Sequence, residues 1–119
     1  MFEVDLMSRV PIYEQLRRGV MVSLLKGELQ EGAQLPSVRA LAMELHVNPN
    51  TVAKAYSSLE HDGFIRSVAG RGCFVVKPDW ERVQGELLGG FDTAVRQSLE
   101  MGISGEILQN RLAELLKEG

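Results

Sequence analysis

Between Leu35 and Val76 two short amphipathic helical patterns are followed at once by a pair of β-rich runs joined at a glycine-rich tip. Val38, Leu41, Ala42 and Leu45 fall at i, i+3, i+4 and i+7, the spacing of one buried helical face. Ser37 stands where a hydroxyl can accept from an orphan N–H of the first turn. His46, Val47 and Asn48 fill a tight connection. Asn48 and Pro49 then start a second helix, since Asn is a favoured N-cap and Pro loses no hydrogen bond at the first helical position. Val52, Ala55, Tyr56 and Leu59 repeat the apolar spacing. Asp62-Gly63 ends that helix. Phe64 to Val68 and Cys73 to Val76 then read as strands around Ala69-Gly70-Arg71-Gly72.

That order is the plan of a winged helix-turn-helix, and it predicts a mainly α fold with a small β hairpin. The second helix leaves Asn50, Ala53, Lys54, Ser57 and His61 facing outward, with Thr51 on the flank. Asn50 can pair bidentately with adenine and Thr51 can hydrogen-bond a base or a phosphate. Lys54 can neutralise phosphate, and the helix N-terminus adds partial positive charge and N–H donors. A polar outer face alone is common on surface helices. The adjoining helix and hairpin shift the balance toward groove contact. Gly70 and Arg71 at the hairpin tip let backbone approach a surface closely while a cation reaches forward, which suits phosphate or minor-groove contact better than a plain solvated turn.

The chain resembles the GntR family of bacterial transcription regulators. The resemblance rests on Pro11-Ile12-Tyr13-Glu14-Gln15-Leu16, Gly27-Glu28-Leu29 with Gly32, and Leu35-Pro36-Ser37-Val38-Arg39 with Leu41-Ala42. It continues through Val47-Asn48-Pro49-Asn50-Thr51-Val52, Ala55-Tyr56, Leu59, Gly63, Gly70, Gly72 and Phe74-Val75. By that resemblance Arg39 contacts phosphate from the start of its helix. Asn48, Asn50 and Thr51 lie where the recognition helix meets DNA, and Gly70 lies where the wing enters the minor groove. Cys73 stands where the family commonly has threonine. The short tail resembles the YtrA-type branch, which lacks a large effector-binding domain, and whose members commonly act on transporter genes, often as repressors.

Ahead of the motif, Ile12, Leu16, Val20 and Leu24 form an i, i+4 ladder that predicts a helix stopped at Gly27. Phe2, Val4 and Leu6 alternate as a weak strand or arm. Pro78-Asp79 marks a boundary, giving a winged helix-turn-helix domain at 1–78 and a helical dimerisation tail at 79–119. In the tail Val83, Leu87, Phe91, Val95 and Leu99 make one sustained ladder up to Gly102. Ser104 caps a last helix bearing Leu112 and Leu116. Two helices cannot bury that apolar surface against each other, so the ladder, with Leu112 and Leu116, predicts a homodimer surface. The competing expectation is a tail packed on its own domain.

A net charge of −3 looks wrong for a partner of double-stranded DNA until it is divided. Residues 1–78 carry nine Lys/Arg and eight Asp/Glu, a balance of +1, and residues 79–119 carry four and eight, a balance of −4. Placement of charge, not its total, governs phosphate binding. No apolar run is long enough to span a membrane, and a single cysteine allows no internal disulfide, which together suit a cytoplasmic protein. His46 and His61 are solitary, so no metal site is expected. No catalytic constellation, phosphate-binding loop or cofactor motif is present, and any small-molecule effector stays unidentified. The sequence therefore predicts no enzyme but a sequence-specific regulator, most simply a repressor, on an inverted-repeat operator. The alternatives are a winged-helix protein–protein adaptor or a sequence-tolerant nucleoid-type DNA binder.

Overall fold

A computed structural model describes residues 2–119. Its elements run α1 (Ile12–Leu25), α2 (Val38–Leu45), α3 (Pro49–His61), β1 (Ile65–Val68), β2 (Gly72–Val75), α4 (Trp80–Leu87), α5 (Gly89–Glu100) and α6 (Gly105–Glu118). They form two compact units, the first ending at Leu87 and the second spanning Leu88–Gly119.

The first unit is the winged helix-turn-helix. Its core gathers one face from each element: Leu16, Val20, Met21 and Leu24 of α1, Leu41 and Ala42 of α2, and Val52, Ala55, Tyr56 and Leu59 of α3. Each set has the helical periodicity read from the sequence. The Ser37 side chain accepts from Ala40 N–H at 3.0 Å, and the Asn48 side chain accepts from Asn50 N–H at 2.8 Å. These caps fix where α2 and α3 begin. His46 turns the chain between them with φ 57, a left-handed conformation uncommon outside glycine.

β1 and β2 pair antiparallel, Ile65 opposite Val75 and Val68 opposite Gly72. A third extended segment joins them. Leu35 N–H donates to Cys73 O at 2.9 Å and Val75 N–H donates to Ala33 O at 2.9 Å. The hairpin is thus stitched to the loop that leads into α2. The arm before α1 forms no strand. Phe2 is buried, and the Gln15 amide clamps the arm by donating to Asp5 O and Val10 O while accepting from Asp5 N–H.

The tail departs from the expected plan. The first compact unit extends nine residues past Pro78, because α4 packs on α1 and inserts Val83, 0 % exposed, into the core. The long ladder is divided at Leu88, between a helix that contains Gly85 and one that opens with Gly89 and Gly90. Glycine costs up to ~1 kcal/mol per helical position, so this stretch is where a continuous helix is weakest. Val83 is therefore not part of an outward surface: it serves its own domain, as does the half-buried Leu87.

The second unit is a pair of helices. α5 is followed by a turn at Met101-Gly102, and Ser104 caps α6 by accepting from Ile107 N–H at 3.2 Å. Neither helix buries a single residue. Phe91, Leu99, Ile107, Leu112, Leu115 and Leu116 are all exposed, Leu116 to 70 %.

Candidate nucleic-acid interface

The recognition helix α3 is held from behind. Its inner face sits in the core, and the Tyr56 hydroxyl donates to Pro36 O at 2.7 Å, tying the middle of α3 to the loop before α2. Burial pushes the Tyr56 phenol far above its ordinary range, so this donor keeps its proton at every working pH. A helix braced in this way presents its outer face in one orientation.

Asn48, Asn50 and Thr51 come together at the start of α3, but they are not equivalent. The Asn48 side-chain oxygen is spent on the cap, which leaves its amide nitrogen as the group able to meet a phosphate. Thr51 N–H donates to Asn48 O at 2.9 Å, and Pro49 has no N–H. The first-turn donors expected to hold an anion are thus largely engaged already. What remains there is the helix's partial positive charge and the side chains of Asn50, which is exposed, and Thr51, which is half-buried.

Lys54 is exposed, yet its Nζ lies 4.0 Å from the centroid of the Tyr13 ring at the start of α1. A cation over an aromatic face gains about 0.5–1 kcal/mol at an exposed site. The Tyr13 hydroxyl donates to Glu14 at 3.2 Å, and that carboxylate raises the phenol's pKa, so the ring beneath Lys54 stays neutral. This pairing joins residues far apart in the chain and gave no signal in the sequence.

The wing carries Gly70 and Arg71 at its tip. Gly70 has φ 74 with no atom near its missing side chain, so its backbone is open to an approaching surface. Arg71 is exposed, and its carbonyl accepts from the Gln34 amide at 2.8 Å. Gly72, at φ 114, leaves room for that amide: a Cβ there would stand 2.8 Å from Gln34 Nε2. Gln34 is a positioning residue that sequence reasoning passed over. Among the described residues Arg39, Lys54, Arg66 and Arg71 have no acidic partner at ion-pair distance. These cations are unneutralised, as phosphate contact requires.

Arg17 behaves in the opposite way. It forks onto Glu86 at 2.9 and 2.7 Å, reaches Asp62 at 2.6 Å and donates to Ser58 Oγ at 2.6 Å. Glu86 first, and Asp62 after it, hold its guanidinium firmly charged. The hydrogen bond with His61, and then Arg17, keep the Asp62 carboxyl below the usual carboxylate range. Among the described residues no cluster of His, Cys, Asp and Glu could hold a metal, and no helix is long and apolar enough to cross a membrane.

Known proteins share this geometry. The family model described as bacterial regulatory proteins, gntR family, matches residues 11–75. The HTH-type transcriptional repressor YtrA of Bacillus subtilis (strain 168) is 39 % identical over 100 residues, covering 84 % of this chain and 74 % of that one. A solved GntR family transcriptional regulator from Listeria monocytogenes superposes with a TM-score of 0.80 at 26 % identity, across 93 % of this chain and 98 % of its own. The AraR DNA-binding domain in complex with operator ORX1 gives a TM-score of 0.57 at 25 % identity, across 63 % of this chain and 96 % of its own. The protein belongs to the gntR family of bacterial regulatory proteins and is a DNA-binding transcription regulator, not an enzyme.

Proposed function

We propose that the protein is a cytoplasmic repressor that binds an inverted-repeat operator as a homodimer. The observation that carries the dimer is the second unit. Phe91, Ala94, Val95 and Leu99 of α5 and Leu108, Leu112 and Leu115 of α6 line one apolar groove, and nothing in the unit is buried. An isolated helix pair with such a face gains too little from its own burial to offset the entropy of ordering. A second copy supplies the matching face, and symmetric dimers are the common way for helix-turn-helix readers to reach two half-sites. Phe91, Val95, Leu99, Leu112 and Leu116 are the proposed dimer residues.

In this reading Asn50 and Thr51 read bases, while Arg39, Asn48, Lys54 and Arg71 meet phosphates or groove edges and Gly70 lets the wing backbone close in. The likeness to YtrA, named a repressor, and to AraR, solved on its operator, supports the sign of regulation and the DNA partner. The test is an electrophoretic shift on the gene's own upstream DNA, run with competitor DNA at several salt concentrations beside sedimentation. A dimer with strong preference over competitor is expected. A monomer that binds every duplex alike would indicate a nucleoid-type binder, and no binding at low salt would indicate an adaptor.

A further inference from the structure

The Lys54 ammonium of the recognition helix rests over the ring of Tyr13, 4.0 Å from its centroid, although Tyr13 belongs to α1. The ring is a fixed platform. It is half-buried and packs on the core, α1 packs on α3, and the hydroxyl is engaged with Glu14 at 3.2 Å. The residues one turn away from Lys54 on its own helix are Asn50, Thr51, Ser57 and Ser58, none of them charged. Among the described residues no carboxylate reaches Lys54 at ion-pair distance.

We propose that Tyr13 is a positioning residue whose ring aims Lys54 at a DNA phosphate. The inference rests on the reading above in which Lys54 meets phosphate. A lysine is a point charge on a flexible four-carbon stem, so by itself it fixes no direction. A carboxylate could hold it, but would neutralise the charge that a phosphate contact uses. An aromatic face attracts a cation through its quadrupole and carries no net charge, so the ammonium keeps its whole charge while losing freedom. The Glu14 carboxylate raises the Tyr13 phenol's pKa, which keeps the platform neutral. Part of the entropy of ordering the stem is then lost on folding and not on binding. The ring therefore acts on affinity through Lys54 and leaves the number of neutralised phosphates unchanged, a signature that loss of the lysine itself does not share.

The experiment uses full-length protein and a duplex that the wild type selects from a random library, with affinity measured from about 50 to 200 mM salt. Lys54→Ala should weaken binding and lower the salt slope by about one. Tyr13→Leu should weaken binding about threefold with the slope unchanged, the size expected for an exposed cation–π contact. Tyr13→Phe keeps the aromatic face and should stay within about 1.5-fold of wild type. In the Lys54→Ala background Tyr13→Leu should change nothing further, since both variants break one contact. Equal losses with and without Lys54 overturn the proposal, because Tyr13 would then act on the fold or on DNA directly. Tighter binding by Tyr13→Leu also overturns it, because the ring would then withhold the lysine. If Lys54→Ala alters neither affinity nor slope, the phosphate reading fails and the proposal fails with it. Should Tyr13→Leu not fold, proton NMR of the unaltered protein decides. Ring current should move the Lys54 ε-methylene signal upfield of those of the other lysines, and an unshifted signal overturns the platform.

Discussion

The two units of this chain solve the burial problem in different ways. The winged unit closes on itself: three helices, a hairpin and α4 each give one face to a shared core in which Met21, Val52, Leu59 and Val83 are fully buried. The helices of the α5–α6 unit bury no residue. Val83 and Phe91 sit on the same i, i+4 ladder in sequence, yet one is 0 % exposed and the other 50 %. A ladder states that a helix has an apolar face, and says nothing about which molecule covers it. The lesson is that one unit has a buried core of its own, while the other leaves its apolar residues exposed, as the proposed dimer would require.

Several measurements would break or sharpen that contrast. The largest effect should come from Leu99→Asp with Leu112→Asp. Placing charge in the groove should leave a monomer by sedimentation and cut affinity for a two-half-site operator about 10²–10⁴-fold, because linkage rather than contact is lost. Melting of the winged unit should be unaltered, and an unchanged oligomeric mass would place the dimer elsewhere. Ending the chain at Pro78 should do what ending it at Leu88 does not. Loss of α4 removes Val83 from the core and Glu86 from Arg17, so denaturant unfolding should show a drop of about 2–4 kcal/mol, mainly from lost apolar burial. Equal stability of the two truncations would return α4 to the tail.

Smaller effects follow on single residues. Val83→Ala should cost about 1–3 kcal/mol of stability with dimeric mass intact, the reverse of the groove double variant. Asn50→Ala should cost about 1–3 kcal/mol on the best operator and relax preference at one base position without touching either unit's stability. Acid should act on the winged unit through Asp62. Asp62 titrates below its ordinary value of about 3.9, so its contribution is whole above that pH and fades as pH falls through the lowered value. Thermal melts from pH 5 down to about 2.5 should show Asp62→Asn losing less stability than wild type over that range. Parallel losses would mean that other carboxylates govern acid unfolding.

Much of this architecture was legible in the sequence, because the signals were local. Ser37, Asn48 and Ser104 announced their helices through caps that close within three residues, and the structure makes all three. The wing was legible from its glycines and β-rich flanks. What escaped were pairings across long separations. Arg17 meets Ser58 and Glu86 at sequence distances of 41 and 69, Lys54 meets Tyr13, and Gln34 meets Arg71, and no periodicity encodes such partners. Asn48 was legible both as the cap of α3 and, by resemblance, as a DNA contact; the structure shows the cap taking up its side-chain oxygen. The compact units divide after Leu87 and not at Pro78 for the same reason: Pro78 is a local mark, whereas the reach of a core is a three-dimensional fact.

The brace between Gln34 and the wing tip has an evolutionary consequence. Operator preference in a lineage can drift by altering the tip, but the tip is not equally free at every position. A side chain at Gly72 would push the Gln34 amide aside and so cost the hydrogen bond that holds the tip in place. Even then φ 114 disfavours any residue but glycine. On the proposed reading, new specificity is reached most easily through Arg71 and the outer face of α3, whose side chains can be exchanged one at a time, while Gly72 is held by its backbone conformation.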